Sequence, residues 1–224
     1  MKHRPANTRG YLNPGWIESR RTFSNNSYWN PQYMNWGVLE VINDDILQPG
    51  HTVPKHEHKN MEILGYVVDG PCHHWDNLGN DCLAESGTVQ RMSSGSGIWH
   101  TEGNCSDRPI RYLQLWIRPS TQGTPAEYTQ QHFSREQKLN TFCLIAGPTG
   151  PIVIKQQAQV WAGIFTEDYT QALKPQRKYY LYLVLGSATV NDLDISEGDG
   201  IAIENVRSLS ITQANQAELI LFEV

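Results

Sequence analysis

From Trp36 onward the chain alternates apolar and polar residues in short runs divided by glycine, asparagine and proline. A period of two marks half-buried β-strands, because successive side chains of a strand point to opposite faces. Residues 37–42 read as a strand that Asn43-Asp44-Asp45 breaks, with Pro49-Gly50 as a turn. Further strands are predicted over 61–68, 72–76, 88–92, 97–101 and 112–117, with Asp69-Gly70 and Asn77-Leu78-Gly79-Asn80 as breaks. Residues 1–35, polar with scattered aromatic rings, predict an irregular arm with short strands that packs its rings onto a sheet. The stretch from Arg118 through Pro125 is linker-like. A second β-rich block runs from about Thr141 to Val224 and includes a strand over 179–185, a turn at Gly186-Ser187 and Gly198-Asp199-Gly200 before another strand. Short strands at this spacing predict an all-β protein of sandwich or barrel type. The shared rhythm of the two blocks predicts two copies of one barrel, drawn as 1–120 with the arm, a linker over 121–138, and 139–224.

Composition narrows the function classes. The 224 residues can bury a real core without disulfides. A net charge of −5, with no basic run longer than Arg20-Arg21, argues against nucleic acid as a direct partner. No stretch approaches 18 apolar residues, so no membrane span is expected. The start, Met1-Lys2-His3-Arg4-Pro5, lacks an apolar signal core, and a cytoplasmic location is expected. Cys72, Cys82, Cys105 and Cys143 form no CxxC pair and are expected to be free thiols. A redox role for Cys72 or Cys105 is left open beside the blander role of small core hydrophobe.

The chemistry concentrates in two segments, His56-Glu57-His58-Lys59-Asn60-Met61-Glu62 and Gly97-Ile98-Trp99-His100-Thr101-Glu102. On a strand His56 and His58 share a face, their Cα atoms about 6.6 Å apart, close enough for both rings to reach one ion. His100 and Glu102 repeat that spacing. Nitrogen and carboxylate donors suit a first-row ion such as iron, nickel, copper or zinc. Two surface histidines and an ordinary exposed glutamate are the blander alternative, and the matching second segment argues against it. His73 and His74 point to opposite faces, so at most one reaches the cavity, and one buried and one solvated histidine is expected rather than a second metal. Trp99 should face away from the metal, and Met61 reads as core.

At these residues the sequence resembles the cupin superfamily and, within it, the pirin family. Gly50, His56-x-His58, Glu62 and Gly70 resemble the first cupin motif in pirin spacing. The stretch from Gln90 to Glu102 resembles the second motif, and Gln114-Leu115-Trp116-Ile117 the strand after it. Glu57 departs from the usual proline. The resemblance is strong over residues 11–120 and mainly architectural beyond. It implies a bicupin fold of two jelly-roll (double-stranded β-helix) barrels, with one divalent metal ion in the first. The pirin pattern assigns His56, His58, His100 and Glu102 as ligands. Relatives in which the first-motif carboxylate is itself a ligand leave Glu62 as the competitor of Glu102, and either could be the catalytic base. Fe(II) is the first expectation for the ion, with Cu, Ni, Co, Mn and Zn compatible. The second block contains no histidine and is expected to be a degenerate, metal-free barrel. The activity implied is quercetin 2,3-dioxygenase: opening of the central flavonol ring by dioxygen with release of carbon monoxide, on a small planar phenol, by a monomer. A metal- or redox-dependent regulator acting through a protein partner is the alternative, and a sugar-binding or isomerase cupin the third.

Overall fold

The computed structural model describes residues 1–224. Its strands are β1 (Lys2–Arg4), β2 (Gly10–Leu12), β3 (Ile17–Arg21), β4 (Leu39–Leu47), β5 (Thr52–His58), β6 (Glu62–Asp69), β7 (Cys72–Asp76), β8 (Asp81–Ala84), β9 (Thr88–Ser93), β10 (Ile98–Gly103), β11 (Ile110–Ile117) and β12 (Glu127–His132). After a single helical turn, α1 (Arg135–Lys138), come β13 (Cys143–Gly147), β14 (Ile152–Val153), β15 (Gln159–Phe165), β16 (Tyr169–Ala172), β17 (Tyr179–Val190), β18 (Leu193–Ser196), β19 (Gly200–Ile203) and β20 (Ser208–Glu223). The protein is all-β in a bicupin arrangement, with two compact units. One unit comprises Gly10–His132 with Ile152–Gln156, the other Met1–Arg9, Phe133–Pro151 and Gln157–Val224. These contact-based bounds differ from the compositional ones, most visibly in giving the first nine residues to the later unit, where β1 pairs with β19.

In the earlier unit a seven-stranded sheet runs β12-β9-β6-β11-β4-β3-β2, and a four-stranded sheet runs β5-β10-β7-β8. Alternation gives each strand one inward face. Ile17, Leu47, Val67, Cys72, Ala84, Ile110 and Tyr112 pack together at one end of the interior. Ile63, Met92 and Ile98 pack with Trp116 and Tyr128 at the other. Along β4, β7, β10 and β11 the inward positions between these clusters are polar: Asn43 and Asp45, His74, His100 and Glu102, and Gln114. Gly65 lies between Ile63 and Val67 on β6, and a Cβ there would sit 3.0 Å from the Gln90 side-chain oxygen, so glycine makes room for a polar chain in mid-barrel.

Three expectations are corrected. Asn43-Asp44-Asp45 does not end a strand; β4 runs on to Leu47, with Asn43 and Asp45 inward and Asp44 held outside by two 2.8 Å bonds from Arg111. Within the supposed linker, residues 127–132 form β12 and pair with β9. Gly186 does not turn the chain: β17 continues to Val190, with Gly186 (φ +80°) at a register shift against β20.

The later unit is built on a sheet running β1-β19-β17-β20-β15-β13. Its core gathers Phe165, Leu181, Leu183, Ile201, Leu219 and Leu221 with their neighbours, all inward by the same alternation.

Candidate metal centre

β5 ends in the His56-x-His58 pair, and β10 pairs with it so that His100 lies directly opposite His56. That register brings three imidazoles together. The Nε2 atoms of His56 and His58 are 2.8 Å apart, and those of His100 and His56 3.1 Å apart. The Nδ1 of His56 lies 2.9 Å from the Pro54 carbonyl, so this edge donates and Nε2 keeps its lone pair. Burial first, then the neighbouring rings, pull His58 down to about 4 and hold His100 far below the ordinary histidine value. Ring nitrogens turned toward one point, with His58 and His100 held neutral, are what a divalent ion requires, and the donor set fits one.

The fourth expected ligand sits deeper. A bulge in the β10–β5 pairing falls between His100 and Glu102. Glu102 groups with His74 and His100, whereas His56 and His58 group with His100 alone, so His100 belongs to both clusters. Gln114 Nε2 donates to Glu102 Oε2 at 3.3 Å. Burial, then the charge of Asp45, raise the Glu102 carboxyl to about 7, against an opposing contribution from the nearby Tyr112 hydroxyl.

Glu62 lies apart from these residues. It joins neither cluster, and its Oε1 accepts a 2.5 Å bond from Ser93. On β6 it occupies the face opposite Ile63, whose cross-strand partner Trp116 lines the cavity, so alternation turns it away. Met61 packs against the Ile63 cluster, and Trp99 is exposed, as expected.

His74 is the inward member of its pair. Its ring stacks on Tyr128 (4.2 Å, 14°) and lies 5.5 Å from His100. Its Nε2 meets Asp76 Oδ2 at 2.9 Å. Burial opposes charge on Asp76, but bonds from His74, Asn80 and Leu78 outweigh it and hold the carboxyl below its usual range. His73 faces the other way, 2.5 Å from Asp81 through Nε2 and 3.5 Å from the exposed Cys105 sulfur through Nδ1. Cys72 is buried, and burial pushes its thiol well up. The cavity beside the histidines holds about 520 Å³ and is lined by Trp16, Ile17, Ser19, Arg21, Asn43, Asp45, Gln114 and Trp116 among others. Sequence reasoning passed over the Ser19/Arg21 and Asn43/Asp45 pairs, although each shows the same i, i+2 spacing as the histidines.

Known proteins resemble the chain along its whole length. Residues 2–117 match the family model described as Pirin, and residues 144–224 match that of the quercetinase C-terminal cupin domain. A quercetin 2,3-dioxygenase of Escherichia coli K12 is 34% identical over 224 residues, covering 99% of this chain and 97% of that protein. A pirin-like protein of Caulobacter vibrioides is 34% identical over 229 residues, covering 100% and 99%. The crystal structure of the E. coli bacterial pirin YhhW in complex with nickel(II) superposes with a TM-score of 0.93 at 32% identity, over 100% of this chain and 98% of that one. With a full-length likeness of this order and more than half its residues matched by the Pirin model, the chain belongs to the pirin family.

Proposed function

We propose that this protein is a metal-dependent oxidoreductase of the quercetin 2,3-dioxygenase type, opening the central ring of a flavonol with dioxygen and releasing carbon monoxide. The observation that carries the reading is the convergence of the Nε2 atoms of His56, His58 and His100, 2.8 and 3.1 Å apart, where His56 and His58 line a cavity of about 520 Å³. That volume lies within the roughly 300–1,000 Å³ usual for small-molecule sites. His56, His58 and His100 would hold the ion and Glu102 would complete the set. A bound divalent ion supplies Lewis acidity, which lowers the pKa of a phenolic hydroxyl.

The remaining work falls to the chain. Trp16, Ile17, Val53 and Trp116 give the cavity apolar walls for a planar ring. Glu102, which groups with His100, would take up the hydroxyl proton, with Gln114 donating to its Oε2. Glu62 has no part in this chemistry. His74, stacked on Tyr128 and tied to Asp76, buttresses His100 and positions it. The protein partner of the regulator reading finds no feature of this site that favours it.

The test is oxygen uptake with quercetin by protein reconstituted in turn with iron, copper, nickel, cobalt and manganese, beside His100→Ala. Metal-dependent uptake with carbon monoxide release, lost in the variant, is expected. Stoichiometric metal binding without uptake for any ion would end the dioxygenase reading.

A further inference from the structure

One wall of the cavity is more polar than an ion site or an apolar ligand requires. β3, β4 and β11 are neighbours in the large sheet, and their inward positions fall into two rows. Arg21 lies opposite Asn43, and Asn43 opposite Gln114. Ser19 lies opposite Asp45, and Asp45 opposite Tyr112. Ser19, Arg21, Asn43 and Asp45 are each at least 93% buried, yet all four line the cavity.

Buried polar groups in a folded protein are nearly always hydrogen-bonded, and leaving one without a partner is costly. Here Arg21 Nε, Asn43 Oδ1, Asp45 Oδ1 and Trp116 Nε1 have none. Four such atoms on one wall of one cavity are not scattered packing faults. The row is also held in place: Arg21 Nη1 donates to the Asn25 carbonyl (3.1 Å) and the Ser27 hydroxyl (3.0 Å), which fixes the guanidinium and leaves Nε over. Two of the four atoms are donors and two are acceptors, so the missing partner both accepts and donates, as hydroxyl groups do. Adjacent strands are about 4.8 Å apart and inward residues along a strand about 6.6 Å. That grid spaces the backbone positions from which these residues reach the cavity. Gln114 joins the wall to the metal centre through Glu102.

We propose that Arg21, Asn43 and Asp45 form a specificity subsite that reads the hydroxyl groups on the part of the substrate remote from the metal, so that the preferred substrates are phenols hydroxylated there. This rests on the flavonol reading above. It assigns the N-terminal strand β3, through Arg21, a direct part in substrate choice beside Asn43 and Asp45 of β4.

The test uses full-length protein loaded with zinc, so that no turnover intervenes. Calorimetry compares quercetin, whose pendant ring bears two hydroxyls, with the flavonol that lacks them. A site built to hydrogen-bond a hydroxyl rejects the analogue without it strongly, so the wild-type protein is expected to prefer quercetin at least about tenfold. Asn43→Leu and Asp45→Asn are expected to shrink that preference to less than about threefold, with oxygen-uptake KM for quercetin rising in parallel. Equal affinity of the wild type for both flavonols would overturn the subsite whatever the variants do, and this arm needs no mutant to fold. Turnover without any dependence on the pendant hydroxyls would sink the subsite and leave the dioxygenase reading standing. A clear preference without turnover under any metal would do the reverse, and binding of neither flavonol would remove both.

Discussion

The two units spend their inward strand positions differently. In the later unit β17, β19 and β20 turn Leu181, Leu183, Ile201, Ile203, Leu219 and Leu221 inward, all 2% exposed or less. Its buried carboxylates are all partnered: Glu218 by Lys138 at 3.2 Å, Glu223 by Arg177 at 3.0 Å and Lys174 at 3.4 Å, and Asp199 by the backbone N–H groups of Ala6 at 2.7 Å and Ser196 at 3.0 Å. In the earlier unit the same alternation delivers His56, His58, His74 and His100 from one sheet and Arg21, Asn43 and Asp45 from the other. Apolar clusters close its two ends, and the middle is given over to polar chains around a cavity. A site inside a barrel is thus made by withholding apolar residues from the centre of several strands at once, at the expense of packing. The closed interior of the other unit shows what that centre otherwise contains.

The largest expected effect tests the closed interior. Leu183→Ala removes a fully buried side chain and should cost about 2–5 kcal/mol. For a chain of this size that is a fall of roughly 5–15 °C in Tm. Metal content of the folded protein, measured by elemental analysis, should stay that of the wild type. Loss of metal at a temperature where circular dichroism still reports native β-structure would break the division of labour.

Next comes the choice between the two carboxylates. Glu102→Gln should weaken metal binding by at least about 10–100-fold, read by competition with a chromophoric chelator. Glu62→Gln should leave affinity within about threefold, because Glu62 lies on the outer face of β6 against Ser93. The reverse ranking would show that alternation along β6 misassigns the site.

Most of this was legible in the chain, and the failures share a cause. Alternation located β6, β7, β9, β10 and β11 closely, and the His-x-His and His-x-Glu spacings named residues that the fold does bring together, because i, i+2 on a strand is a geometric statement. What misled was the assumption that a barrel interior is apolar. Under it Asn43-Asp44-Asp45 can only be a break, whereas Asn43 and Asp45 are inward residues of a continuous strand. The arm was read by its rings, yet Ser19 and Arg21 of β3 matter more to the cavity. β12 is so polar that nothing local marks it as a strand; its pairing with β9 and the stacking of Tyr128 on His74 are tertiary events. The inner or outer face of Glu62 depends on the register with β11, which no local pattern encodes.

The smallest effect concerns charge in the polar interior. Burial, then Asp44, raise Asp45 to about 7 against opposing contributions from Ser19 and Arg21, and Asp45 in turn raises Glu102. A carboxyl whose folded pKa lies above its unfolded value near 4 contributes stability that is fully present below pH 4 and is lost as pH rises through 7. The histidines act oppositely. His58 and His100 are lowered, so their contribution is complete above the unfolded value of 6.5 and is lost only on acidification. Between pH 6.5 and 8.5, therefore, the carboxyls alone govern. Metal-free protein should lose Tm across that window as two buried charges form side by side. Asp45→Asn leaves only Glu102 to ionise, so across the window its Tm should fall by about 2–4 °C less than that of the wild type, the equivalent of about 1 kcal/mol. Only below pH 4, where Asp45 is protonated in the folded and the unfolded chain alike, should the two proteins differ little, since the amide closely mimics the acid. Identical slopes would mean that Asp45 ionises freely, as it would in a water-filled wall. In that case its unpartnered oxygen would call for no ligand, and the contrast with the partnered carboxylates of the other unit would lose its electrostatic half.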